Sequence, residues 1–102
     1  MLLNLLQQLV TWITGNPYKI GENYMLRTVT FHFTGKLTGV FPNELVFDNV
    51  AWIADDGRFA DAVATGTFNE VEPYPENVKV IIGRGSLIDA VPVSFPLPRT
   101  QK

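Results

Sequence analysis

No cysteine occurs in this chain of 102 residues, and histidine occurs once, at His32. The first absence excludes disulfide staples and thiolate metal sites. The second excludes His-rich metal cages and confines any nucleophile–His–acid triad to the surroundings of one residue. Charge is also scarce: Asp, Glu, Lys and Arg make up 18% of the chain, with a formal net charge of −2. A duplex-DNA binder carries a basic excess to neutralise phosphates, so duplex DNA is not an expected partner. Any anionic ligand must be met by few cations, multiplied by symmetry. Few charges also leave apolar surface for another subunit to cover, which favours an oligomer. No apolar run reaches membrane-spanning length, and the apolar opening stretch, residues 1–14, has no basic segment ahead of it. No membrane partner is expected, and a cytoplasmic location is.

What the chain does hold is 46% hydrophobic and 12% aromatic residues, enough for one domain with its own core. Leu2, Leu3, Leu5, Leu6, Leu9, Val10 and Ile13 recur at helical spacing, predicting a helix over residues 1–14 that ends at Gly15-Asn16-Pro17. Residues 24–33 are rich in β-branched and aromatic residues and predict one strand, with Met25, Val29, Phe31 and Phe33 on one face and Thr28, Thr30 and His32 on the other. Thr34-Gly35 is expected to bend the chain into a second strand over 36–40, and Phe41-Pro42-Asn43 to form a turn. Residues 44–53 predict a third strand with Leu45, Phe47, Ala51 and Ile53 on one face. Two helical turns are expected over 58–64, capped by Asp55 or Asp56 and closed by Gly66. A short strand over 67–71 and a loop over 72–76 follow. The last two strands, 78–82 and 87–91, flank Gly83-Arg84-Gly85-Ser86, where glycine is expected to supply the positive dihedrals of a tight turn. Three prolines in residues 92–102 predict an extended tail.

A helix followed by short, closely spaced strands is the outline of a small barrel, and two motifs resemble those of the Sm/LSm family. Gly35-Lys36-Leu37 followed by Phe41-Pro42-Asn43-Glu44-Leu45-Val46-Phe47-Asp48 is similar to the family's first motif, with a loop about two residues short. Val80-Ile81-Ile82-Gly83-Arg84-Gly85-Ser86-Leu87-Ile88-Asp89-Ala90-Val91 resembles the second, with Gly83 where an apolar residue is usual. The resemblance implies a mainly β fold: an N-terminal α-helix, then a small five-stranded Sm-like (SH3-like) barrel. Residues 1–91 would form the single domain, with 55–77 an enlarged variable loop between strands 3 and 4 and 92–102 a Pro-rich tail. It implies a homo-oligomeric ring, the fourth strand of one subunit meeting the fifth of its neighbour. It also implies a ligand, single-stranded RNA or a small nucleotide, gripped at the two turns.

The residue chemistry suits that role. Phe41 can stack a base, Asn43 can read a base edge, Arg84 can stack or meet phosphate, and Gly85 belongs to the same turn. Each residue also has a plainer reading: Phe41 in a core or interface, Asn43 stabilising its bend, Arg84 solvated or paired across subunits, His32 on a strand surface. Asp55, Asp56 and Asp61 lack a metal-ligand spacing, and the Gly83–Ser86 run is no Walker loop. No nucleophile, base and orienting group assemble, so no catalytic residues, metal or cofactor are expected. The alternative to a nucleic-acid ligand is a protein–protein or assembly module.

Overall fold

The computed structural model describes residues 16–102, so the helix expected over 1–14 lies outside the described residues. Strands β1 (Asn23–Thr28) and β2 (His32–Val40) form an antiparallel hairpin that pairs Met25 with Thr34 and Arg27 with His32. The single strand expected over 24–33 is therefore two strands, folded back at Val29 and Thr30. Neither tip residue is glycine and neither takes a positive φ, so the turn leaves no compositional mark. Thr28 holds it: its backbone N–H donates to the Phe31 carbonyl at 2.8 Å, and its hydroxyl bonds both the Phe31 N–H and carbonyl at 2.9 Å. Gly35, expected to bend the chain, lies inside β2. A β-carbon there would stand 3.0 Å from Val50 Cγ2 and 3.1 Å from Phe47 Cβ, so the glycine serves close packing.

Strand β3 (Glu44–Asp55) pairs with β2 along one edge. On its other edge β4 (Glu70–Pro73) covers the second half, from Ala51 to Asp55, and β5 (Val80–Gly83) covers the first half, from Glu44 to Phe47. Between the halves Asn49 takes φ 52°, and the β2–β3 register shifts there. One extra residue in a strand reverses the face of everything after it. Leu45, Phe47 and Val50 accordingly share one core cluster with Tyr24, Leu26, Leu37 and Ile82. Ala51 and Ile53 enter a second, with Met25, Ala62, Phe68, Val71 and Phe95. The expectation that Leu45, Phe47, Ala51 and Ile53 share a face fails for this reason. Strand β1 sits between the two clusters, with Tyr24, Met25 and Leu26 all 2% exposed or less. Burying side chains of this size contributes roughly 1.5–3 kcal/mol each.

Strand β6 (Leu87–Pro92) pairs with β1, giving the order β4-β3-β2-β1-β6 with β5 beside β3. The fold is mainly β, a six-stranded antiparallel sheet. It is not the closed five-stranded barrel expected, because β5 and β6 are joined by a 3-10 turn, Arg84–Ser86, without a ladder between them. The sixth strand comes from residues 55–77, which hold α1 (Phe59–Thr65) and β4 as well as connecting loop. Helix α1 buries Ala62 and ends at Gly66, where φ 72° directs its N–H to the Ala62 carbonyl at 3.0 Å. Neither aspartate caps it: Arg58 holds the N-cap without a side-chain bond, and Asp55 Oδ1 accepts the Gly57 N–H at 2.8 Å.

After β6 the proline-containing segment packs back onto the sheet. Phe95 is buried edge-on against Phe68, with ring centroids 5.8 Å apart. Arg99 donates to the Val50 and Tyr74 carbonyls at 3.2 Å. Val71 and Lys102 exchange both backbone hydrogen bonds at 3.0 Å. Among the described residues no helix is long and apolar enough to cross a membrane.

Candidate functional site

The Phe41-Pro42-Asn43 turn closes with the Phe41 N–H donating to the Glu44 carbonyl at 2.9 Å. The Phe41 ring lies over Gly39, where a β-carbon would stand 2.9 Å from its Cε2. One side of the ring is thereby seated on β2 while the residue stays 50% exposed. Arg84 opens the 3-10 turn and bonds this first turn twice. Its backbone N–H donates to the Asn43 carbonyl at 2.8 Å, and its Nη1 donates to the Phe41 carbonyl at 3.0 Å.

The Arg84 guanidinium carbon also lies 5.2 Å from the centre of the Tyr18 ring, within cation–π range. Tyr18 meets Tyr24 edge-on at 5.9 Å, and Tyr24 meets the core residue Phe47 at 6.4 Å. The Tyr24 hydroxyl accepts the Lys19 N–H at 2.9 Å and donates to Glu22 at 3.2 Å. Burial pushes its pKa up, so it remains a neutral donor. A line of aromatic contacts therefore roots the arginine in the core, although nothing in the sequence assigns Tyr18 to the site.

Gly83 has φ −64°, and Gly85 is not among the residues with positive φ. The expectation that these glycines supply positive dihedrals fails, because a 3-10 turn needs none. A β-carbon at either would meet nothing within 4 Å. Ser86 closes the turn through its hydroxyl, which donates to the Gly83 carbonyl at 2.7 Å. Phe41, Asn43, Arg84 and Gly85 thus lie on two joined turns, with Asn43 and Gly85 exposed and Arg84 half-buried.

Two charged pairs lie elsewhere on the sheet. Arg27 forms a bidentate pair with Asp89 across β1 and β6, its Nε 2.9 Å from Oδ1, and its guanidinium stacks 4.7 Å from the Phe59 ring centre. The Arg27 hydrogen bonds hold the Asp89 carboxyl below the usual carboxylate range, against the opposing effect of burial. His32, read as a strand-surface residue, has its Nδ1 2.6 Å from Asp56 Oδ2. The other Asp56 oxygen is buried without a hydrogen-bond partner among the described residues. Those residues contain no group of three or more His, Asp or Glu able to hold a metal ion.

Compared with known proteins, the chain matches no family model, no curated protein and no solved structure.

Proposed function

We propose that the protein is a non-enzymatic, self-associating Sm-like module that binds single-stranded RNA or a small nucleotide at the turns around Asn43 and Arg84. The observation that carries this reading is the 2.8 Å bond from the Arg84 N–H to the Asn43 carbonyl, which joins two turns far apart in the sequence. A guanidinium has five N–H donors, and the Phe41 carbonyl engages Nη1 alone. The remaining donors suit phosphate or a base edge, the exposed side of Phe41 suits stacking, and the Asn43 amide suits edge reading. Gly85 has neither a dihedral nor a packing reason to be glycine, and close approach of ligand to backbone is a reason that remains.

Self-association follows from the strand edges. Strand β5 pairs only with β3 and β6 only with β1 among the described strands, leaving backbone donors and acceptors open. Ile81 and Ile88 on them are 68% and 61% exposed. These strands precede and follow the Arg-Gly turn, the positions through which Sm-like subunits join into rings. A ring would gather several copies of Arg84 and so offset the acidic balance of each chain.

Arg84→Ala tests the reading by anisotropy of a short labelled RNA and of labelled nucleotides at two salt concentrations, beside light scattering. Loss of a charged contact is expected to cost about 1.5–3 kcal/mol per site, with the oligomer unchanged. Asn43→Ala is expected to weaken the same ligand. Unchanged binding with an unchanged oligomer would remove the ligand role. Smaller particles alone would favour the assembly module, for which the cleft of about 470 Å³ lined in part by Val29, Phe31 and Ile81 is the specific support.

A further inference from the structure

We infer that the outer face of β2, β3 and β4 carries a second site, a partial aromatic cage for an alkylated ammonium cation such as a quaternary ammonium head or a methylated lysine. The β2–β3 register sets Phe33 opposite Trp52, and the β3–β4 register sets Trp52 opposite Glu72. The chain neighbours of Trp52, Ala51 and Ile53, are 0% and 3% exposed. Strand alternation therefore turns Trp52 away from the second core cluster, onto the face that carries Val50 and the rim of the first cluster, against which Phe33 and Tyr74 pack half-buried. Further aromatics extend that rim outward. Phe31 lies 5.8 Å from Trp52 with the ring planes at 75°, and 6.1 Å from Phe33 at 37°. Rings at these angles form walls, and with Tyr74 and the flanking prolines they line a pocket of about 340 Å³. Phe31 and Trp52 remain 47% and 37% exposed.

Charge selects the occupant. Among the described residues the one charged side chain lining this pocket is Glu72, which also accepts from Gln101 at 3.1 Å. The adjoining hollow shares Trp52 and is lined by Asp55, Asp56 and His32. Neither is lined by lysine or arginine, and the guanidinium of Arg99 is engaged by the Val50 and Tyr74 carbonyls. Carboxylates beside exposed ring faces repel phosphate and attract cations. A bare ammonium is strongly hydrated, whereas an alkylated one presents apolar methyl groups to the rings and keeps its charge. The pocket shares Phe31 and Phe33 with the cleft that Gly83, Gly85 and Ser86 line on its far side, but Arg84 lines neither, so the cation site does not depend on the ligand of the Arg84 turns.

The test is an NMR titration of the full chain with choline and with its neutral isostere 3,3-dimethylbutan-1-ol. Choline is expected to shift Phe33, Tyr74 and the Trp52 indole saturably, with the isostere at least about fivefold weaker. Trp52→Ala should lose choline binding and Trp52→Phe should keep part of it. Glu72→Gln should weaken choline but not the isostere, and Arg84→Ala should leave choline binding unchanged. A peptide bearing trimethyllysine is compared with the same peptide bearing lysine. Binding more than tenfold tighter than choline assigns the cation to a polypeptide, and binding equal to choline assigns it to a free small molecule. Equal binding of choline and isostere, equal binding of the two peptides, or no shift at these residues would overturn the proposal.

Discussion

A β-carbon on Gly66 would stand 2.5 Å from the buried Phe95 ring, and Gly66 also holds φ +72°. Both the dihedral and the ring therefore oppose any other residue. Gly66→Ala is expected to destabilise by about 2–4 kcal/mol, read by urea unfolding, through left-handed strain and overpacking together. Gly85 has open space around it, so Gly85→Ala is expected to stay within about 0.5 kcal/mol of the parent while weakening the ligand. At Asp89 the folded carboxyl has a lowered pKa because Arg27 bonds its charged form. A lowered folded pKa contributes stability above the unfolded value, about 3.9, and that contribution is lost as pH falls through the folded value. The stability gap between the parent and Asp89→Asn is therefore expected to narrow as unfolding is measured at successively lower pH below about 4. The turn residues Phe41, Asn43, Arg84 and Gly85 are legible in sequence because proline, asparagine and glycine punctuate locally. Tyr18 and the His32–Asp56 pair are not, because long-range packing makes those contacts.

Strand β3 shows where legibility stops at the scale of an element. Its existence follows from its apolar residues, but Asn49 at φ 52° divides it between two core clusters. A period-two reading has no means of placing that bulge. The β1–β2 hairpin is hidden for a related reason, since β-branched residues occupy a tip with negative φ and a threonine side chain does the fastening. The terminal segment reads as an extended tail because prolines dominate its composition. Phe95 nevertheless gives it an anchor, 8% exposed and edge-on to Phe68. Phe95→Ala is expected to cost about 3–5 kcal/mol. Hydrogen exchange at Val71 and Lys102, which bond each other, is expected to accelerate with it. Retained protection at both amides would mean that the ring does not hold the segment down.

For the molecule as a whole, composition and turn spacing are enough to read a mainly β chain whose last strands flank the arginine turn. The open sheet is not legible, and the extra strand is legible only in part: a short strand is expected over 67–71, whereas β4 runs Glu70–Pro73, because the prolines and acids of residues 72–76 read as loop. Those same open edges lead to the central claim: several chains join through β5 and β6 and hold RNA or nucleotide at their paired turns. Native mass spectrometry of protein taken directly from cells tests it most directly. The account predicts an integral multiple of the 11.4 kDa chain, carrying extra mass that ribonuclease or phosphatase treatment removes and that Arg84→Ala lacks. A single-chain mass with nothing added, or the same added mass on the Arg84→Ala protein, would contradict it.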